Sequence, residues 1–159
     1  MALSQGSTPA AFRLLTADRR PFQLAADRPR LLYFFKIHCP VCPIAAGPTQ
    51  QLFEQLEGKA QVVPVSQDAP DHAIPWLLQQ GLMAEPAFDD QGFSASRAFE
   101  LITVPTGVLL DAGGRVAGVV EGWSRDGWNA LAAKLGELGG VPVGPVSQPG
   151  DGKPAFRPG

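Results

Sequence analysis

Leu31-Leu32-Tyr33-Phe34-Phe35-Lys36-Ile37-His38-Cys39-Pro40-Val41-Cys42-Pro43 decides the reading of this chain. Leu31 to Phe35 is a continuous apolar run, too short for a helix of its own, and reads as a buried strand. It leads into Cys39 and Cys42, spaced C-x-x-C and the only cysteines present. Ile44 to Leu56 then carries helical periodicity, so the pair sits where a strand hands over to a helix. That context is the one in which two cysteines at this spacing work as a redox-active dithiol.

The chemistry assigns them different tasks. Cys39 falls at the helix N-terminus, where free N–H groups and the helix dipole favour an anion. The thiolate is the attacking species in disulfide exchange. Pro40 suits the first helical turn, having no N–H to leave unpaired and a φ already near helical. Cys42 lies one turn further on, within reach of Cys39 but more covered. Cys39 is therefore the expected attacking thiol and Cys42 the resolving one. A structural zinc site is the competing use of the pair, but it normally takes four ligands. Only His38 and His72 remain as nitrogen donors, and adjacent His38 and Cys39 are poorly placed to share one metal. Covalent c-type haem needs His directly after the second cysteine; position 43 is Pro. No metal or bound cofactor is expected beyond the redox-active Cys39–Cys42 disulfide itself.

At 159 residues the chain has the length of one domain with a substantial core. Its 45% hydrophobic and 18% charged residues describe an ordinary globular protein. A net charge of −2 without a basic block gives no sign of nucleic acid or an anionic membrane surface as partner. Met1 to Pro9 lacks the pattern of a secretory leader, and no apolar run nears the roughly 20 residues of a bilayer span. The expectation is a cytoplasmic monomer, a setting in which a cysteine pair is catalytic more often than a static staple.

Along the chain, residues 1–10 read as a flexible N-terminus. Ala11–Leu15 and Pro21–Leu24 alternate around a polar turn, as in an N-terminal β-hairpin. Gly47-Pro48 should kink the first helix. Gln61–Ser66 is the next strand, weakened by Pro64, and Asp68 follows in its loop. A helix starting near Asp71 contains Ile74, Trp76, Leu77 and Leu78 and stops at Gly81. Glu85–Asp89 is a short strand and Gly92–Leu101 a helix. Thr106–Leu110 and Arg115–Val120 flank a glycine-rich turn, giving a hairpin. Ser124 caps a final helix ending near Leu138. The domain thus spans 11–138, and 139–159 is a Pro/Gly-rich tail, mobile or draped over the surface.

Assembled, these elements resemble the thioredoxin-like superfamily, in particular its TlpA/ResA-type thiol–disulfide oxidoreductases and the alkyl hydroperoxide reductase/thiol-specific antioxidant redoxins. Besides Cys39-Pro-Val-Cys42, the resemblance rests on Val104-Pro105-Thr106, which looks like the family's cis-proline loop. It implies an α/β fold: a central mixed sheet flanked by helices, with the N-terminal hairpin and a strand–helix insertion. It also implies that Cys39, Cys42 and Pro105 form the site, with Val104 laying its backbone against a substrate peptide and Pro40 and Val41 beside it. His38 stands where thioredoxins commonly carry Trp, and a protonated imidazole there would stabilise the Cys39 thiolate. Tyr33 stands where thioredoxin has a buried Asp, which leaves Asp68 as a substitute acid or a loop cap. Lys36 is a further candidate for tuning the thiolate. The implied partners are a disulfide-containing protein or small-thiol substrate and an upstream dithiol electron donor. Two alternatives stand beside this. A peroxiredoxin-like antioxidant peroxidase is disfavoured by Lys36, where those proteins place Thr or Ser three residues before the reactive cysteine. A non-catalytic binding module on the same fold would be indifferent to loss of Cys39.

Overall fold

Strand β1, Arg30–Phe35, is buried at every residue, and alternation sends its side chains to two different cores. Leu31, Tyr33 and Phe35 enter one hydrophobic cluster, while Leu32 and Phe34 enter a second on the opposite face. Covering both faces is what makes the run continuously apolar instead of alternating. The computed structural model describes residues 1–159.

Around β1 the order is helix α1 (Cys42–Leu56), β2 (Gln61–Ser66), α2 (Pro70–Gln80), β3 (Ala87–Phe88) and α3 (Ser94–Ala98). Then come β4 (Thr106–Leu110), β5 (Val116–Glu121), β6 (Trp123–Ser124), α4 (Arg125–Gly139) and β7 (Phe156–Arg157). The main sheet runs β3-β2-β1-β4-β5. β2 lies parallel to both β1 and β3, whereas β4 is antiparallel to β1 and β5. The fold is a mixed five-stranded sheet with helices on its faces. The first cluster gathers α1, α2 and α4 through Leu52, Leu56, Trp76, Trp128, Leu131 and Leu135; the second gathers α3 through Ala95, with Phe99 just past its end. No helix is long and apolar enough to cross a membrane.

Several local expectations shift. Helix α1 passes through Gly47-Pro48 without a break, with Pro48 buried. Pro64 sits inside β2, yet β3 pairs only with Val65 and Ser66. The Gln61 and Gln67 amides point to β1, so by alternation Pro64 faces the β3 side beyond the reach of that short strand, and no ladder bond is lost. The N-terminal hairpin is short: the Thr16 amide donates to the Arg20 carbonyl at 2.7 Å and the Phe22 amide to the Leu14 carbonyl at 2.9 Å, on either side of the bridge between Leu15 and Pro21, and Leu15 also bridges to Phe88. Pro21 stands opposite Leu15 with its nitrogen turned away from that partner, so its missing N–H costs the pairing nothing, and on its other edge Leu15 exchanges both backbone bonds with Phe88. Helix α3 is five residues long, with Phe93 at φ 55° before it and Glu100 at φ 53° after it.

Both ends of the chain are laid onto the domain. The Leu3 amide donates to the Phe99 carbonyl at 3.0 Å, and Gly6 and Ser7 exchange bonds with Val116. After α4, the Asn129 side chain accepts from the Val146 and Ser147 amides and donates to the Ser147 carbonyl. Val146 is buried there, and β7 pairs antiparallel with β6.

Candidate active site

The site forms where β1 ends. Lys36 to Val41 make the connection, and Val41 is the N-cap residue of α1. The Cys39 amide donates to the Lys36 carbonyl at 3.3 Å, which turns the Cys39 side chain back over the start of the helix. There the Cys42 amide, the first of α1, donates to Cys39 Sγ at 3.1 Å. An otherwise unpaired N–H of the first helical turn is thereby aimed at the sulfur, where it stabilises negative charge. Val104 O lies 3.5 Å from the same Sγ and accepts from it when the thiol is protonated. The Val104–Pro105 peptide bond is cis. The Pro105 carbonyl accepts from the Gly122 amide at 2.7 Å, tying this loop to the residue between β5 and β6.

The two thiols are unbonded and differ in environment: Cys39 is half-buried and Cys42 is fully buried. Burial pushes the Cys42 thiol well above its ordinary range, and the neighbouring Cys39 and Asp68 add to that push. The apolar wall responsible is aromatic. Tyr33 and Phe35 stack at 5.5 Å, Phe35 and Trp76 at 4.8 Å, and Trp128 meets Tyr33 edge-on at 6.1 Å. The Tyr33 hydroxyl, also fully buried, donates to the Cys42 carbonyl at 2.5 Å. Burial drives the Tyr33 phenol well above its ordinary range, so it remains a neutral donor and not a base.

Of the other candidates, Asp68 is brought close: its carboxylate accepts from the Ile37 amide at 2.8 Å and clasps the loop that carries the cysteines. Its own turn is fixed by Ser66, whose hydroxyl accepts from the Asp68 amide and donates to its carbonyl. Between the two cysteines, Pro40 is exposed and Val41 is buried against the first cluster. Lys36 and His38 are exposed. His38 faces a surface groove shared with Ile37, His72, Pro75, Trp76 and Leu78. No group of three or more His, Cys, Asp or Glu side chains is arranged to hold a metal ion. Two participants were missed from the sequence. Tyr33 stands out in the sequence only by lacking a carboxylate, whereas its hydroxyl is a hydrogen-bond donor to the Cys42 backbone. Gly122, at φ 71°, left one trace in the sequence, a glycine directly after Glu121 where the apolar strand from Val116 to Val120 ends.

No protein-family model matches the chain, and no curated protein matches it. Solved structures do. A Chlorobium tepidum protein carrying the provisional name thiol:disulfide interchange protein DsbE superposes with a TM-score of 0.76 at 23% identity, over 86% of this chain and 99% of that one. A thiol-disulfide oxidoreductase from Bacteroides fragilis gives 0.70 at 20% identity, over 83% and 99%. The thioredoxin domain of a thiol-disulfide oxidoreductase from Bacteroides vulgatus gives 0.70 at 14% identity, over 84% and 99%. At these identities the likeness establishes a thioredoxin-like fold.

Proposed function

We propose that the protein is a thiol–disulfide oxidoreductase that exchanges electrons with disulfide-bonded polypeptides through Cys39 and Cys42. One observation carries the reading: the Cys42 amide at the mouth of α1 donates to Cys39 Sγ at 3.1 Å while the Cys42 thiol is buried and held protonated. A half-buried sulfur that accepts a helix N–H, beside a fully covered, neutral one, is the asymmetry that two-step exchange needs. The same class of activity is named for the fold neighbours.

In the reducing direction the Cys39 thiolate attacks one sulfur of the substrate disulfide. The S–S bond breaks, a mixed disulfide forms, and the other substrate sulfur leaves as a thiolate that takes a proton. Cys42 must then lose its own proton. Two of the influences that hold that proton, the hydrogen bond and the charge of Cys39, disappear once Cys39 is bonded in the mixed disulfide. Cys42 attacks Cys39, the substrate departs as a thiol, and the Cys39–Cys42 disulfide remains for a dithiol donor to reduce. Asp68 is the charged group we assign to this proton transfer, being tied to the Ile37 amide and close enough to act on Cys42 through its charge. The partner's backbone is assigned to the Val104–Pro105 loop. A cytoplasmic reductant is part of this proposal.

The test is entrapment. Incubated with a disulfide-bonded polypeptide, Cys42→Ser should accumulate a mixed disulfide through Cys39 that dithiothreitol reverses, and Cys39→Ser should accumulate none. Equal trapping by both variants, or by neither, would contradict the assignment.

A further inference from the structure

The C-terminal segment bears on access to this site, and the inference rests on the oxidoreductase reading above. Arg125 Nη2 donates to the Lys153 carbonyl at 2.7 Å, the Trp123 indole N–H to the Pro154 carbonyl at 2.7 Å, and the Arg125 amide to the Ala155 carbonyl at 2.9 Å. Phe156 and Arg157 then pair with Ser124 and Trp123. Upstream, Asp151 acts as a buckle. Its carboxylate accepts from the Ser147 hydroxyl at 2.6 Å and from the Lys153 amide at 2.9 Å, with Arg125 at 3.4 Å.

A Cβ placed on Gly122 would lie 2.8 Å from the Gly159 nitrogen and 2.9 Å from the Arg157 carbonyl oxygen. A Cβ placed on Gly159 would collide with the Thr103 hydroxyl and lie 2.6 Å from the Val104 carbonyl oxygen. The strap therefore crosses Gly122 and comes to rest against Thr103 and Val104. That Val104 carbonyl is the one 3.5 Å from Cys39 Sγ. A polypeptide laying its backbone along Val104 needs the space beside that carbonyl, which Gly159 fills.

We propose that Phe156–Gly159 is an internal strand seated on the substrate edge, which must lift before an extended polypeptide disulfide reacts with Cys39, whereas a small disulfide reaches the sulfur past it. The strap is built to open. Phe156 remains 62% exposed, and both β7 residues are exposed, so backbone bonds and the Asp151 buckle hold it, with no buried apolar anchor at its end. Segments with few buried contacts open at low free energy. Apparent affinity for a partner falls by the fraction of molecules that are open.

The test uses the full chain in the Cys42→Ser background, so that reaction stops at the mixed disulfide. The substrates are a short cysteine-containing peptide, disulfide-linked to cysteamine, and cystamine as the small disulfide. The Cys39 thiolate attacks the peptide sulfur, the peptide–cysteamine bond breaks, the Cys39–peptide bond forms, and cysteamine leaves and is protonated. Adducts are followed by mass. Gly159→Val, whose Cβ collides with Thr103, and Asp151→Ala, which opens the buckle away from the site, should each raise the peptide rate about tenfold while the cystamine rate stays within about twofold. Amide exchange at Arg125 reports release of the strap, and the thermal midpoint reports folding. A peptide rate unchanged while Arg125 exchange accelerates would overturn the gate and leave the oxidoreductase reading intact. Absence of reaction with either disulfide in every variant would overturn both.

Discussion

Cys42 couples the chemistry of the site to the stability of the fold. It stays protonated in the native state because burial disfavours its thiolate, whereas in the unfolded chain it titrates near the ordinary value of 9.0. Once pH passes that value, the native state holds a proton that the unfolded chain has lost. A raised thiol pKa thus contributes stability that is fully present below about pH 9 and is lost as pH rises further, by at most about 1.4 kcal/mol per pH unit. Urea unfolding should show its midpoint falling between about pH 9 and about pH 10, and Cys42→Ala should flatten that fall. The same pH dependence in both proteins would count against the buried neutral thiol. At this scale the sequence is informative where residue type is itself the chemistry. Cys39 and Cys42 stand out on spacing and type alone, and Pro105 through the resemblance of Val104-Pro105-Thr106 to the family's loop. The exposure of Lys36 and His38 and the grip of Asp68 on the Ile37 amide do not, because they depend on how two loops meet.

The elements were legible to the extent that periodicity and capping act locally. β1, α1, β2, the β4–β5 hairpin and α4 all follow from apolar spacing and turn chemistry. The Ser124 hydroxyl accepts from the Gly127 amide at 3.0 Å, the capping bond that its position before α4 anticipates. Ser124→Ala should lower stability by about 1 kcal/mol in chemical denaturation; an unchanged midpoint would mean that β6 pairing alone sets the start of the helix. The N-terminal hairpin and α3 differ for tertiary reasons. Leu15 directs its backbone bonds to the edge away from Pro21, where they tie the short hairpin to Phe88. Asp89 accepts from the Ala95 and Ser96 amides and so fixes where α3 begins. Neither contact leaves a trace in local pattern.

Across the whole molecule, composition reads the last 21 residues as tail, since glycine and proline dominate them. What places that segment is a set of single polar side chains elsewhere: Asn129, Arg125 and Trp123 each hold a stretch of its backbone. Composition averages such residues away, which is why the route of the strap past Gly122 to Val104 emerges only in three dimensions. The sheet puts the Cys39 turn and the Val104–Pro105 loop side by side because β1 and β4 are neighbours, with Phe34 opposite Thr106. Strand order, cysteine position and partner-facing loop are thus parts of one arrangement, and the central claim concerns the pair it assembles. The most direct measurement is to equilibrate the full chain in glutathione buffers of graded potential and count free Cys39 and Cys42 by alkylation and mass. The account predicts one reversible two-electron transition in which both thiols disappear together, lying between about −270 and about −120 mV. Two free thiols persisting across that range, or separate glutathione adducts in place of an intramolecular bond, would contradict it.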